Sequence, residues 1–302
     1  MGYDEMTFPD APLRFDSMSR QPFVLLLSLI AWPLLAQEAP KATVAPPEIT
    51  KQLNITYNPD KDADPVRHKL DVYLPKDVKK FPMMMFVHGG SWNSGSKDLY
   101  GSLGQTFAQQ GIGTVIINYR LSRADNNVKH PDHIKDVAKA FAWMKANAAK
   151  LGGDEKKLYV SGHSAGGHLV SLLATDDQYL KAEKCSVADI SGVMPISGVY
   201  AITSIVPVFH RPFGKEDEMC KAASPVTHVK GSLPPFLVSY ADADFLTLDK
   251  MAEDFGKKLK ELKNEVTVMK LEKRNHFSII INLAVSAQDP LTKAMVGFVT
   301  KK

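Results

Sequence analysis

Residues 158–170 read LYVSGHSAGGHLV. A strand-forming Leu158-Tyr159-Val160 runs into Ser164, which sits among Gly162, Ala165, Gly166 and Gly167, and an apolar stretch resumes at Leu169-Val170. G-x-S-x-G between a strand and a helix is the signature of a sharp turn that lifts a serine hydroxyl above the carboxyl end of a sheet. Bulky side chains would clash in such a turn, so small residues surround the serine. A turn that merely needs small residues would look the same locally. The rest of the chain has to supply the partners of a nucleophile, or fail to.

A serine hydroxyl needs a base, and the base needs a group that orients it. In a strand–turn–helix setting the chain order is serine, acid, histidine. The apolar run 234–240 is followed by Ala241-Asp242-Ala243-Asp244, and the run 265–270 by Leu271-Glu272-Lys273-Arg274-Asn275-His276. Acid and histidine thus each lie just past a late strand, where ligands gather in open α/β sheets. No histidine follows His276, which is therefore the expected base. Asp244 is the favoured acid, Asp242 stays open, and Asp249 reads as a carboxylate at a helix start. A tetrahedral oxyanion also needs backbone donors. The Ala165 amide can supply one. The turn after the apolar run 81–87 can supply others, because Gly89 and Gly90 follow His88 and let the backbone approach a substrate oxygen. His163 and His168 flank the serine but are expected to pack rather than react. His130-Pro131-Asp132-His133 lacks the ligand array of a zinc site, and Met83-Met84-Met85 reads as adaptable core. No metal site is expected.

Runs without alternation at 81–90, 114–119, 157–162, 191–198 and 234–242 suit strands buried on both faces of a parallel sheet. Helical spacing at 132–150, 167–175 and 248–263 separates several of them. Strands alternating with helices define an α/β fold with a mostly parallel sheet and helices on both faces. One domain over residues 51–302 is expected, with the irregular, proline-bearing stretch 199–230 as a small cap or lid.

His88-Gly89-Gly90-Ser91-Trp92, Asn118-Tyr119-Arg120-Leu121, Gly162-His163-Ser164-Ala165-Gly166-Gly167-His168-Leu169 and the late Asp244 and His276 together resemble the α/β-hydrolase superfamily. Within it they are similar to the carboxylesterase branch with an H-G-G-x-W loop, which holds feruloyl- and acetylesterase-like enzymes and the kynurenine formamidases. The resemblance spans residues 54–299. It implies an eight-stranded sheet, no cofactor, and hydrolysis through an acyl-enzyme with Ser164 as nucleophile, Asp244 as acid and His276 as base. It also implies Gly89, Gly90 and Ala165 around the oxyanion. Two departures stand out. Ala241 replaces the glycine of the usual Gly-x-x-Asp acid loop, and Ser91 stands where a related group has a third glycine. The expected function is a serine carboxylesterase acting on a small-molecule ester. The alternatives are an arylformamidase or amidase on the same three residues, and a catalytically inactive α/β-hydrolase that only binds.

The 302 residues are 44% hydrophobic and carry a net charge of +4. The charge is spread out, with no basic stripe interleaved with aromatics, which argues against nucleic-acid binding. Phe23–Ala36 is an apolar run preceded by Arg20 and followed by a Pro/Ala-rich stretch, the pattern of a secretory signal peptide. It is too short for a stable membrane span. We expect a signal peptide at 18–36, cleavage near Ala36, a linker at 37–50, and a periplasmic or secreted product. Residues 1–17 are acidic and read as an upstream extension, with translation expected to begin at Met18. Export would permit a disulfide between Cys185 and Cys220. Two free thiols fit the sequence equally well.

Overall fold

The Phe81–Val87 run is apolar throughout because both of its faces are covered. Met83, Met85 and Val87 enter one hydrophobic cluster and Met84 and Phe86 the other, as the two-residue period of a strand requires. The computed structural model describes residues 47–61 and 63–301. The expected upstream extension, signal peptide and most of the linker lie outside them.

Eight strands form one sheet: β1 (Ile49–Thr56), β2 (Lys69–Pro75), β3 (Phe81–Val87), β4 (Gly113–Ile117), β5 (Gly153–His163), β6 (Gly192–Ile196), β7 (Phe236–Ala243) and β8 (Val266–Asn275). Their order is β1-β2-β4-β3-β5-β6-β7-β8. β2 runs antiparallel to β1 and β4, and every pair from β4 through β8 is parallel. β1 begins at Ile49, inside the last residues of the expected linker.

The helices are α1 (Gly101–Gln109), α2 (Asp132–Asn147), α3 (Ala165–Thr175), α4 (Gln178–Ala182), α5 (His210–Phe213), α6 (Asp217–Ala222), α7 (Leu248–Glu261), α8 (Ser278–Val285) and α9 (Pro290–Thr300). α2, α3 and α7 cover one face through Ile134, Phe141, Leu169, Leu172 and Phe255. α1, α8 and α9 cover the other through Leu103, Phe107, Ile279, Leu283 and Met295. This is the two-faced α/β architecture expected from the sequence. Among the described residues no helix is long and apolar enough to cross a membrane. Cys185 and Cys220 are both buried and unpaired.

The parallel order sets the site. β3, β5, β6, β7 and β8 are neighbours, so their carboxyl ends share one edge of the sheet. The stretch 199–230, between β6 and β7, contains α5, α6 and short turns at Pro207–Phe209 and Pro225–His228. It folds back onto the β3 end, where Phe209 and Phe213 meet the Trp92 ring edge-on at 5.7 and 4.8 Å.

Packing at the β5–α3 turn is close enough to exclude any side chain. A Cβ on Gly166 would lie 2.0 Å from the Val87 carbonyl oxygen, and one on Gly162 would lie 2.5 Å from the Gly166 carbonyl. Gly166→Ala should therefore lower the unfolding free energy by about 1–3 kcal/mol in urea titrations, as over-packing does. Gly297→Ala, in α9 where an added Cβ meets nothing within 4 Å, should be neutral or slightly stabilising. Equal stability of the two variants would contradict this packing.

Candidate active site

Ser164 sits between β5 and α3 with φ 55° and ψ −118°. A left-handed φ is costly for a residue with a Cβ and persists where the surroundings enforce it. Here the Ser164 N–H donates to the Ile196 carbonyl at 2.9 Å, and its own carbonyl accepts from His168 N–H at 3.0 Å. The turn is thereby tied to the end of β6 on one side and to α3 on the other. Ser164 is only half-buried, while its neighbours from Ser161 to Val170 are buried.

The end of β7 brings Asp244 to His276. Asp244 Oδ1 accepts from His276 Nδ1–H at 2.6 Å. Asp244 Oδ2 accepts from the Ser197 hydroxyl at 2.5 Å and from the Ala241 N–H at 3.1 Å. Burial alone would raise this carboxyl's pKa. The hydrogen bonds from His276, Ser197 and Ala241 outweigh it and hold the group below the ordinary carboxylate range. Asp242 is turned elsewhere. It is exposed and accepts from the Lys273 and Arg274 N–H groups at 2.8 Å each, fastening β7 to β8. Asp249 caps its neighbourhood only, accepting from the Lys250 N–H.

With Nδ1 committed to Asp244, the His276 imidazole has Nε2 left for a reacting group. No hydrogen bond joins Nε2 to the Ser164 hydroxyl among the described residues, an arrangement common in sites without substrate. The Phe245 ring stacks on the imidazole with centroids 4.1 Å apart. His163 lies on its other side, ring centroids 4.6 Å apart, and donates from Nε2 to the His276 carbonyl at 2.9 Å. Burial, reinforced by His276, lowers the His163 pKa to about 3. His163 is thus a neutral donor that holds the His276 loop.

The loop after β3 closes over the serine. A Cβ on Gly89 would stand 3.1 Å from Ser164 Cβ, so any side chain there would press on the serine turn. The three expected backbone groups differ. The Gly89 N–H is taken by the Tyr100 hydroxyl at 3.3 Å. The N–H groups of Gly90 and Ala165 have no acceptor among the described residues. Burial pushes the Tyr100 phenol up, so it stays neutral. Gly90 has φ +122°, and Ser91 and Trp92 follow with φ 51° and 59°. This unusual run is anchored by Trp92, whose Nε1–H donates to His168 Nδ1 at 3.1 Å, while His168 Nε2 donates to the Ala223 carbonyl at 2.7 Å. Burial lowers the His168 pKa to about 3. The second flanking histidine therefore ties the glycine loop to the 199–230 segment.

His133 bonds the Ser122 hydroxyl at 2.9 Å, and the His130 ring rests on Phe213 and Tyr179. Among the described residues no group of three or more His, Cys, Asp or Glu is placed to hold a metal ion. The reading from sequence missed Ser197 and Tyr100. A serine–glycine pair closing a buried strand, at 197–198, was the available signal for the first.

The sheet order, the strand–turn–helix at Ser164 and the groups at the strand ends define an α/β-hydrolase. Within that class the chain belongs to the BD-FAE family, which matches residues 70–259. Esterase LipC of Mycobacterium tuberculosis is 32% identical over 230 residues, 68% of this chain and 56% of that protein. The kynurenine formamidase of Danio rerio is 28% identical over 243 residues, 77% of this chain and 78% of that protein. A truncated carbohydrate esterase from gut microbiota superposes with a TM-score of 0.70 at 21% identity, over 83% of this chain and 95% of that one. The last similarity is one of fold. The chain spans about half the length of the M. tuberculosis esterase relatives it matches.

Ser197→Ala removes one donor from a buried carboxylate and should cost about 1.5–3 kcal/mol of stability at neutral pH. Because Asp244 has a depressed pKa in the folded protein, that bond stabilises above the ordinary carboxylate pKa and is lost as pH falls through the folded value. The stability gap between wild type and Ser197→Ala should be constant above about pH 5 and shrink below about pH 4. A gap independent of pH down to pH 2 would show that Asp244 does not carry this charge.

Proposed function

We propose that the protein is a serine carboxylesterase that hydrolyses carboxylic esters through an acyl-enzyme. The observation that carries this reading is the 2.6 Å contact of His276 Nδ1 with Asp244, together with a glycine loop that stands against Ser164. In the proposed cycle Ser164 Oγ attacks the acyl carbon while His276 Nε2 takes its proton. Asp244 keeps Nδ1 protonated and stabilises the imidazolium. The Gly90 and Ala165 amides donate to the oxyanion, and Gly89 provides the room for it. His276 then protonates the departing alkoxide. A water, deprotonated by the same nitrogen, attacks the acyl carbon, and collapse of that second tetrahedral intermediate releases the acid and restores Ser164. The esterase name of LipC supports the ester as substrate. Export, expected from residues 23–36, belongs to the same reading.

The second reading is formamide hydrolysis by the same groups. It draws on the kynurenine formamidase relative, most of whose length is covered. Turnover of N-formylkynurenine against a short acyl ester separates the two, and we expect the ester to be faster.

Ser164→Ala should lower turnover of a short acyl nitrophenyl ester at least about a thousandfold, which is about 4 kcal/mol of barrier. Asp244→Asn should lower it by a comparable order, because the wrong imidazole tautomer results, whereas Asp242→Asn should stay within about threefold of wild type. Retained activity in Ser164→Ala, or a larger loss in Asp242→Asn than in Asp244→Asn, would overturn the assignment.

A further inference from the structure

The glycine loop is followed by a turn that exposes Leu99 beside Asp98, and His276 by a helix with an apolar outer side. Downstream of Gly89, the turn Lys97–Tyr100 leads into α1. Downstream of His276, α8 starts at Ser278. Between the two runs a groove of about 280 Å³ lined by Leu99, Tyr100, Ile280, Ile281, Ala284 and Val285. None of these side chains is charged. Phe277, Ile281 and Val285 recur every four residues and so share one side of the helix. They are 59%, 59% and 67% exposed, and Leu99 opposite them is 76% exposed. A continuous row of large apolar side chains facing water marks a surface with an occupant.

The groove is linked to the serine and histidine through the neighbours of its two walls. Its Tyr100 wall is the residue whose hydroxyl accepts the Gly89 N–H at 3.3 Å, and Gly89 stands against Ser164. Its α8 wall begins beside the base. The Phe277 ring meets Phe245 edge-on at 5.6 Å, and Phe245 stacks on His276. A chain attached to an ester carbon at Ser164 therefore has an uncharged, apolar path leading away between the two walls. Among the described residues that line it, the only polar side chains are those of Tyr100 and Ser102, too few to satisfy a sugar ring. We propose that this groove binds an unbranched alkyl arm of the ester. The proposal rests on the esterase reading above and adds its substrate class.

Either arm of an ester can be alkyl, so two series are needed on the purified protein. In one, nitrophenyl esters run from acetyl to octanoyl. In the other, alkyl acetates run from methyl to octyl. One series should show kcat/KM rising about two- to fourfold per methylene over the first few carbons, and the other should stay flat, which identifies the arm. Ala284→Phe fills the groove and should cut the long-to-short ratio about tenfold or more. Leu99→Ala, at an exposed position that the fold does not need, should lower the slope as well. The proposal is overturned if both series are flat, or if the slope survives Ala284→Phe and Leu99→Ala. It is also overturned if Ile281→Asp abolishes self-association of the protein yet leaves the chain-length dependence unchanged. Absence of hydrolysis for every ester, with no difference from Ser164→Ala, would instead refute the esterase reading itself.

Discussion

Nothing larger than hydrogen fits on Gly166. Its α-carbon faces the carbonyl oxygens of Val87 and His88, at 2.0 and 2.8 Å from where a Cβ would be. This single approach brings the start of α3 onto the end of β3. It sets the serine turn beside the glycine loop, and with it the adjacency of a hydroxyl and free backbone donors. The left-handed φ of Ser164 follows from the same approach, since the chain must reverse from strand to helix within one residue. Backbone donors placed this way are already oriented before charge develops, which is where electrostatic stabilisation is most effective.

Around that junction the polar groups are arranged so that one carboxylate keeps its charge and three histidines lose theirs. Asp244 has four donors, counting the Phe245 N–H at 2.9 Å. His163, His168 and His88 are buried, and desolvation lowers their pKa values to about 3, 3 and 4. Neutral imidazoles serve there as oriented donors and acceptors. They join Trp92 to Ala223, and the serine turn to the base loop, without placing competing positive charge beside His276.

Much of this was legible in the chain itself. The unbroken apolar runs at 81–87 and 158–160 mark strands covered on both faces, and the small residues of the turn mark Ser164. Other elements were hidden by identifiable causes. β1 is an edge strand, largely exposed, so Ile49–Thr56 carries little apolar signal. α1 contains Gly101 and Gly104, which read as breakers; Gly104 is there because a Cβ would fall 2.4 Å from the Tyr73 ring. α8 is apolar along most of its length, because one side faces the core and the other lines a groove, and this erases helical periodicity. At the site, Asp242 lies within β7 and bonds the β8 backbone, whereas Asp244 follows the strand and is carried by the turn to His276, a difference that the local sequence does not mark. Ser197 acts through a contact between strand ends 47 residues apart, and Tyr100 through a turn that folds back onto the Gly89 loop, which no local pattern encodes.

The central claim is that Ser164, presented by this turn and served by His276, is the group that becomes covalently modified. The most direct measurement is peptide mapping by mass spectrometry after reaction with a fluorophosphonate. The account predicts one stoichiometric adduct, on the peptide that contains Ser164, formed more slowly in Asp244→Asn. Persistent ester hydrolysis with no adduct, or with the adduct on another residue, would contradict it.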